Sequence, residues 1–146
     1  MATVDVSVPS DVAPQRAWEL ASDLHRFGEW MTIFGGWRSP VPAQIREGTE
    51  VSSLIKVKGF RNVIHWCVTD YDEPHVIELR GSGRGGIGIG ICIGITMHVL
   101  DNHPGSRFRL LANLSGGLLS GPVGRFVARL LESDVRRSVS NLAALA

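Results

Sequence analysis

Residues 87–100 read Ile-Gly-Ile-Gly-Ile-Cys-Ile-Gly-Ile-Thr-Met-His-Val-Leu, with an apolar side chain at every odd position from Ile87 to Val99. A period of two marks a strand with one face against a core, because successive side chains of extended backbone point to opposite sides. The odd set, which includes Ile91, Ile95 and Met97, is placed inward; Gly88, Gly90, Cys92, Gly94, Thr96 and His98 fall on the other face. The uncharged stretch 85–100 is shorter than the roughly 20 residues a membrane-spanning helix needs, so no membrane span is expected.

The same period recurs on either side. Phe108, Leu110, Ala112 and Leu114 alternate with Arg107, Arg109, Leu111 and Asn113, and Ile64, Trp66 and Val68 oppose His65 and Thr69. Strands are predicted over 50–58, 62–70, 76–81, 87–100 and 107–114. Turn formers separate them: Lys58-Gly59-Phe60, Asp72-Glu73-Pro74, Gly83 to Gly86, and Asn102-His103-Pro104-Gly105. Links this short join antiparallel neighbours, so the segment is a meander.

Outside the meander, Val4, Val6 and Val8 mark a first strand, which Pro9, Ser10 and Asp11 end while supplying cap chemistry for the first helix. Pro14 suits a first helical turn, and Ala17, Trp18 and Ala21 recur at helical spacing as far as Leu24. A short second helix is read near Leu24 to Trp30. Gly35, Gly36, Pro40 and Pro42 then leave room only for an edge strand around Trp37 to Val41. Beyond Gly116, Gly117 and Gly121, a last helix runs from Pro122 to about Leu145. Its apolar stripe is Val123, Phe126, Val127, Leu130, Leu131, Val135, Ser138, Leu142 and Leu145, with Glu132 and Arg136 paired one turn apart. The fold class is α+β: a curved antiparallel sheet wrapped around a long C-terminal helix, with two short helices after the first strand.

The 146 residues are 44% hydrophobic and 20% charged, an ordinary globular composition with no repeat or linker, so residues 1–146 form a single domain. Formal net charge is +1, and apart from Arg136 and Arg137 the basic residues stand singly, so no nucleic-acid partner is indicated. No basic segment followed by an apolar one is seen at residues 1–9, so a cytoplasmic location is expected. Cys67 and Cys92 show no CxxC spacing, and the five histidines show neither HxH nor HExxH; no disulfide, metal site or cofactor is expected. Gly81-Ser82-Gly83-Arg84-Gly85-Gly86 has the look of a dinucleotide loop, but that loop must open a helix and here a strand comes next. No GxSxG elbow is present for a serine nucleophile.

This order of strand, two short helices, meander and C-terminal helix resembles the SRPBCC superfamily, which includes START lipid-transfer domains and polyketide cyclase/dehydrase proteins. The most specific segment is Ala13-Pro14-Gln15-Arg16-Ala17-Trp18, followed by Asp23, Phe27, Trp30 and Trp37-Arg38. The resemblance implies a helix-grip fold with a hydrophobic cavity between sheet and last helix. It further implies binding or carriage of an apolar small molecule such as a lipid or polyketide, with a polyketide cyclase or dehydratase as the enzyme alternative. Some bacterial members with the same ASDL…W…WRS character, seen here from Ala21 to Ser39, are described as the toxin half of toxin–antitoxin pairs; that likeness implies an antitoxin protein as an alternative partner.

On this reading the sheet and helix faces do not completely fill the space between them. The lining is assigned to Trp66, Ile91, Ile95, Met97, Phe108 and Leu110 from the sheet, and to Phe126, Leu130 and Asp134 from the helix. Trp30 and Trp37 flank the Gly35-Gly36 segment, where they are either gates or buried beneath the loop. Asp70, keeping the parity of Trp66 and Val68, would face inward as a general base or a turn acceptor. Tyr71, Arg38, Asp134 and Ser138 complete the polar candidates. The glycine-bearing outer face would suit close approach of a second copy, which makes a homodimer one expected partner arrangement.

Overall fold

The computed structural model describes residues 2–57, 60–84, 90–102, 105–116 and 121–145, with side chains throughout except at 2, 57, 60–62, 84, 90–91, 116 and 121–128. The alternating segments become strands β1 (Ala2–Ser10), β2 (Phe34–Trp37), β3 (Glu50–Val57), β4 (Phe60–Asp72), β5 (Val76–Arg84), β6 (Gly90–Asn102) and β7 (Gly105–Gly116). They form one antiparallel sheet in the order β1-β7-β6-β5-β4-β3-β2. Between β1 and β2 lie α1 (Pro14–Ser22), a 3-10 turn (Leu24–Arg26) and α2 (Phe27–Trp30); α3 (Gly121–Leu145) closes the chain. Of the turns expected at 58–60, 83–86 and 102–105, residues 58–59, 85–86 and 103–104 lie outside the described residues, while Gly83 and Arg84 continue β5.

Local chemistry accounts for the helix starts. Pro14 occupies the first turn of α1, where its missing N–H costs nothing, and Ala13 at the cap position makes no side-chain bond. The expected capping by Ser10 or Asp11 is therefore not realised at α1: β1 continues through Ser10, whose hydroxyl accepts from the Val12 N–H at 3.2 Å. Asp23 does cap, accepting the His25 N–H at 3.0 Å at the head of the 3-10 turn.

The inward faces obey the predicted alternation. Ile93, Ile95, Met97 and Val99 of β6 and Phe108, Leu110 and Ala112 of β7 are buried, while His65 is exposed and His98 half-exposed on the outer side. Helix α3 lies along β1, the adjoining part of β7 and α2. It buries Leu131, Val135, Ser138, Val139 and Leu142. Val139 belongs in the stripe, whereas Leu145 is exposed at the helix end. The Glu132–Arg136 pair forms at 3.2 Å.

Two irregularities decide which side chains face the interior. In β2 the register shifts between Phe34 and Trp37, whose partners are the inward-facing Ile55 and Ser53. Gly36 absorbs the shift at φ +113°, a left-handed conformation open to glycine at no steric cost. The edge strand thus covers Phe34–Trp37, not the expected Trp37 to Val41, and three-residue spacing puts both aromatic rings on one face.

The second irregularity is a bulge at Thr69, between the pairs Val68–Leu79 and Asp70–Glu78. Its hydroxyl donates to the Glu78 carboxylate at 2.7 Å. One extra residue reverses the parity of everything after it. Asp70 therefore sits exposed on the outer face, opposite Glu78, and the expectation that it keeps the parity of Trp66 is wrong. Tyr71 turns inward instead, pairs with Ile77 and packs edge-on against Trp18 at 5.5 Å.

Candidate functional site

On the inner face of the sheet the described residues leave two small voids, one beneath the α2–β2 segment and one beneath α3, each of about 10 Å³. That is close to the least space that holds one water. The first is walled by Phe27, Phe34 and Trp37 from the α2–β2 side and by Ser53, Ile55, Trp66 and Leu79 from the sheet. The second is walled by Ile33, Ile93, Leu110 and Ala112, with Leu131, Val135 and Ser138 of α3 opposite. Met31 and Ile95 belong to both walls and so stand between the voids. The described residues thus form a divided interior rather than the open chamber expected from the alternating faces.

Several features hold the first void open. Trp66 packs over Gly81 of β5, which offers no side chain: a Cβ there would meet Ile64 Cγ2 at 2.5 Å and Trp66 Cε3 at 2.7 Å. Its indole N–H donates to Ser53 Oγ at 2.8 Å, satisfying the one polar atom of a buried ring. Phe27, Trp30, Phe34 and Trp37 form an aromatic cluster with ring centroids 4.9–6.3 Å apart. Trp37 is anchored by its indole N–H to the Leu24 carbonyl at 2.9 Å.

A polar latch ties the α2–β2 segment to α3. The Thr32 N–H donates to Ser138 Oγ at 2.9 Å, the Thr32 hydroxyl donates to the Asp134 carbonyl at 3.3 Å, and the two hydroxyls lie 3.2 Å apart. One turn on, Asn141 Nδ2 donates to the Trp30 carbonyl at 3.2 Å. Asp134 and Ser138 are thus engaged in joining two elements, Asp134 through its backbone.

The other sequence candidates are spread over the fold. Trp37, Trp66, Ile95 and Leu110 line the voids. Met97 and Phe108 are buried on the same sheet face but wall neither; α1 packs against their strands. Trp30 is buried beneath the segment rather than placed as a gate, and among the described residues its indole N–H has no partner. Leu130 is half-buried on α3, and the side chains of Ile91 and Phe126 lie outside the described residues. Asp70 is on the opposite face, and Arg38 is exposed. The sequence reading missed Met31, which falls in a stretch with no periodicity, and Ser53, a hydroxyl hidden at an inward position between Val51 and Ile55.

Among the described residues, none of the side chains walling the two voids is ionisable. The shifted carboxylates lie elsewhere. Glu78 is held below the usual glutamate range, chiefly by the Thr69 hydroxyl and then by Arg80 and Thr96, and Asp5 is held down by its bonds from Arg109. Burial, then the charge of Glu73, raises the Tyr71 phenol. Among the described residues no group of three His, Cys, Asp or Glu side chains could hold a metal ion, and no helix is long and apolar enough to cross a membrane.

A larger hollow lies on the outer face, an open groove of about 530 Å³ along β3, β4 and β5, with Glu50, Ser52, His65, Cys67, Arg80 and Ser82 in its wall. Ser52 Oγ and His65 Nδ1 are 2.8 Å apart, but among the described residues no carboxylate bonds to His65. A serine–histidine pair without that orienting group lacks a hydrolase triad.

A curled antiparallel sheet gripping one long C-terminal helix, with an apolar space between them, defines a helix-grip domain. The chain belongs to the family described as polyketide cyclase / dehydrase and lipid transport, whose model matches residues 1–146. Two Mycobacterium tuberculosis proteins are each 37% identical to it. One, the uncharacterized protein Rv1546, aligns over 145 residues and 99% of each chain; the other, named Toxin Rv0910, aligns over 141 residues, 97% of this chain and 95% of its own. Among solved structures, TTHA0849 from Thermus thermophilus superposes with a TM-score of 0.72 at 17% identity, over 97% of this chain and 94% of that one. Protein Ms6760 from Mycobacterium smegmatis gives 0.69 at 14%, over 98% and 89%.

Proposed function

We propose that this protein binds a hydrophobic small molecule between the inner face of its sheet and α3. The observation that supports the reading is the walls of the two voids, whose described side chains are apolar apart from the Ser53 and Ser138 hydroxyls, which already serve Trp66 and Thr32, and the indole N–H groups of Trp66 and Trp37, which already donate to Ser53 and to the Leu24 carbonyl. Such a wall favours burial of ligand carbon, at about 25 cal/mol per Å². Acid–base chemistry on a polyketide chain needs a positioned proton donor and acceptor. The void walls offer none, so they favour binding or carriage over cyclisation. Native mass spectrometry of freshly purified protein, followed by solvent extraction, tests this. A stoichiometric lipid- or polyketide-like mass supports it; a ligand-free protein that takes up no fatty acid or polyphenol from solution refutes it.

The name of the relative Toxin Rv0910 favours a second reading, a toxin neutralised by a protein partner. Induced expression that arrests growth, with rescue by the product of a neighbouring small gene, supports it. Unimpeded growth at high expression refutes it.

A further inference from the structure

The interior is divided at one place, and the two residues that divide it differ in stiffness. Ile95 is β-branched and sits in the middle of the sheet, held by β5 and β7, so its side chain has little rotational freedom. Met31 is unbranched, with three rotatable side-chain bonds. It leaves the end of α2 with extended backbone, and that backbone is fixed: its N–H donates to the Phe27 carbonyl at 2.9 Å and its carbonyl accepts from Phe34 at 3.2 Å. Its neighbours Trp30 and Thr32 are latched to α3. Only the side chain can move without breaking a bond, and beside it Gly28, Glu29 and Thr32 are exposed, so the surface is near.

We infer that Met31 is the movable wall of the binding site: the unliganded protein is closed, and rotation of the Met31 side chain joins the two voids to admit an unfunctionalised hydrocarbon portion of the ligand. This rests on the small-molecule reading above and deepens it. The polar end of the ligand stays outside, because among the described residues the joined space presents no charged group and no unengaged donor apart from the hydroxyl hydrogen of Ser53. Each void alone is too small for any organic guest, so binding carries the cost of opening, and apparent affinity falls with the population of the open form.

The test uses the full chain labelled with 13C at the methionine methyls. Met31 reports the wall, buried Met97 serves as the internal reference, and benzene and benzoate serve as probes. Benzene shifts the Met31 resonance saturably and leaves Met97 in place, while benzoate shifts neither. Met31→Ala, which joins the voids permanently, binds benzene or xenon about tenfold more tightly, as expected when opening is no longer required; Met31→Ile, branched and stiff, binds about tenfold more weakly. A Met31 resonance that stays fixed at saturating benzene overturns the inference, as does equal affinity across the three proteins; the labelled wild-type spectrum decides even if a variant fails to fold. If a natural ligand co-purifies but Met31 does not move, the wall falls and the binding function stands. If benzene moves Met31 but no natural apolar ligand is ever found, the wall stands and the function falls.

Discussion

Gly81→Ala should destabilise this protein through a specific collision. Gly81 lies on the inner face of β5, paired with Trp66 on one side and Ile93 on the other. A methyl group there would sit 2.5 Å from Ile64 Cγ2 and 2.7 Å from Trp66 Cε3. The indole cannot slide away freely, because its N–H is bonded to Ser53 Oγ at 2.8 Å. Overpacking of this kind costs about 1–3 kcal/mol. If the ring tips and loses its bond to Ser53, about 1 kcal/mol is added. Restricting the unfolded chain returns about 0.4–1 kcal/mol. With all three contributions the net loss is about 1–3.5 kcal/mol, read by urea denaturation with circular dichroism and tryptophan emission. A double-mutant cycle with Trp66→Phe should show coupling of at least about 0.5 kcal/mol. A Gly81→Ala protein as stable as the wild type, or one whose loss is independent of residue 66, would refute the idea that this glycine makes room for the indole.

Ser138→Ala removes the acceptor of the Thr32 N–H; about 1–2 kcal/mol of stability should be lost, with faster amide exchange localised at Thr32. Tyr71→Ala should lower the unfolding midpoint markedly because the ring is packed on Trp18, whereas Asp70→Ala on the outer face should leave it unchanged; the opposite ranking would disprove the bulge at Thr69. The depressed Glu78 carboxyl stabilises the folded state above the ordinary glutamate value of 4.5, and that contribution is lost as pH falls below it through the lowered folded-state value. Denaturation at a series of pH values should show a shallower acid loss in Glu78→Gln than in wild type.

By itself the sequence determined the strands and the side each one presents, wherever a period of two ran unbroken. Ile93 to Val99 and Phe108 to Ala112 face inward as read, since alternation along extended backbone leaves no other choice while one face is apolar. The long amphipathic helix was legible for the same reason. What only tertiary structure decided is what happens where the period breaks. A bulge turns on which partner residue is skipped, which a single strand does not encode: Thr69 became the extra residue through its bond to Glu78 on the next strand, sending Asp70 out and Tyr71 in. Met31 and Ser53 escaped notice on similar grounds, one lying where no regular element exists and the other being a polar residue on an apolar face. The volume between sheet and helix was the least legible of all, because it is the small remainder after packed side chains from four or more separate segments fill a common space.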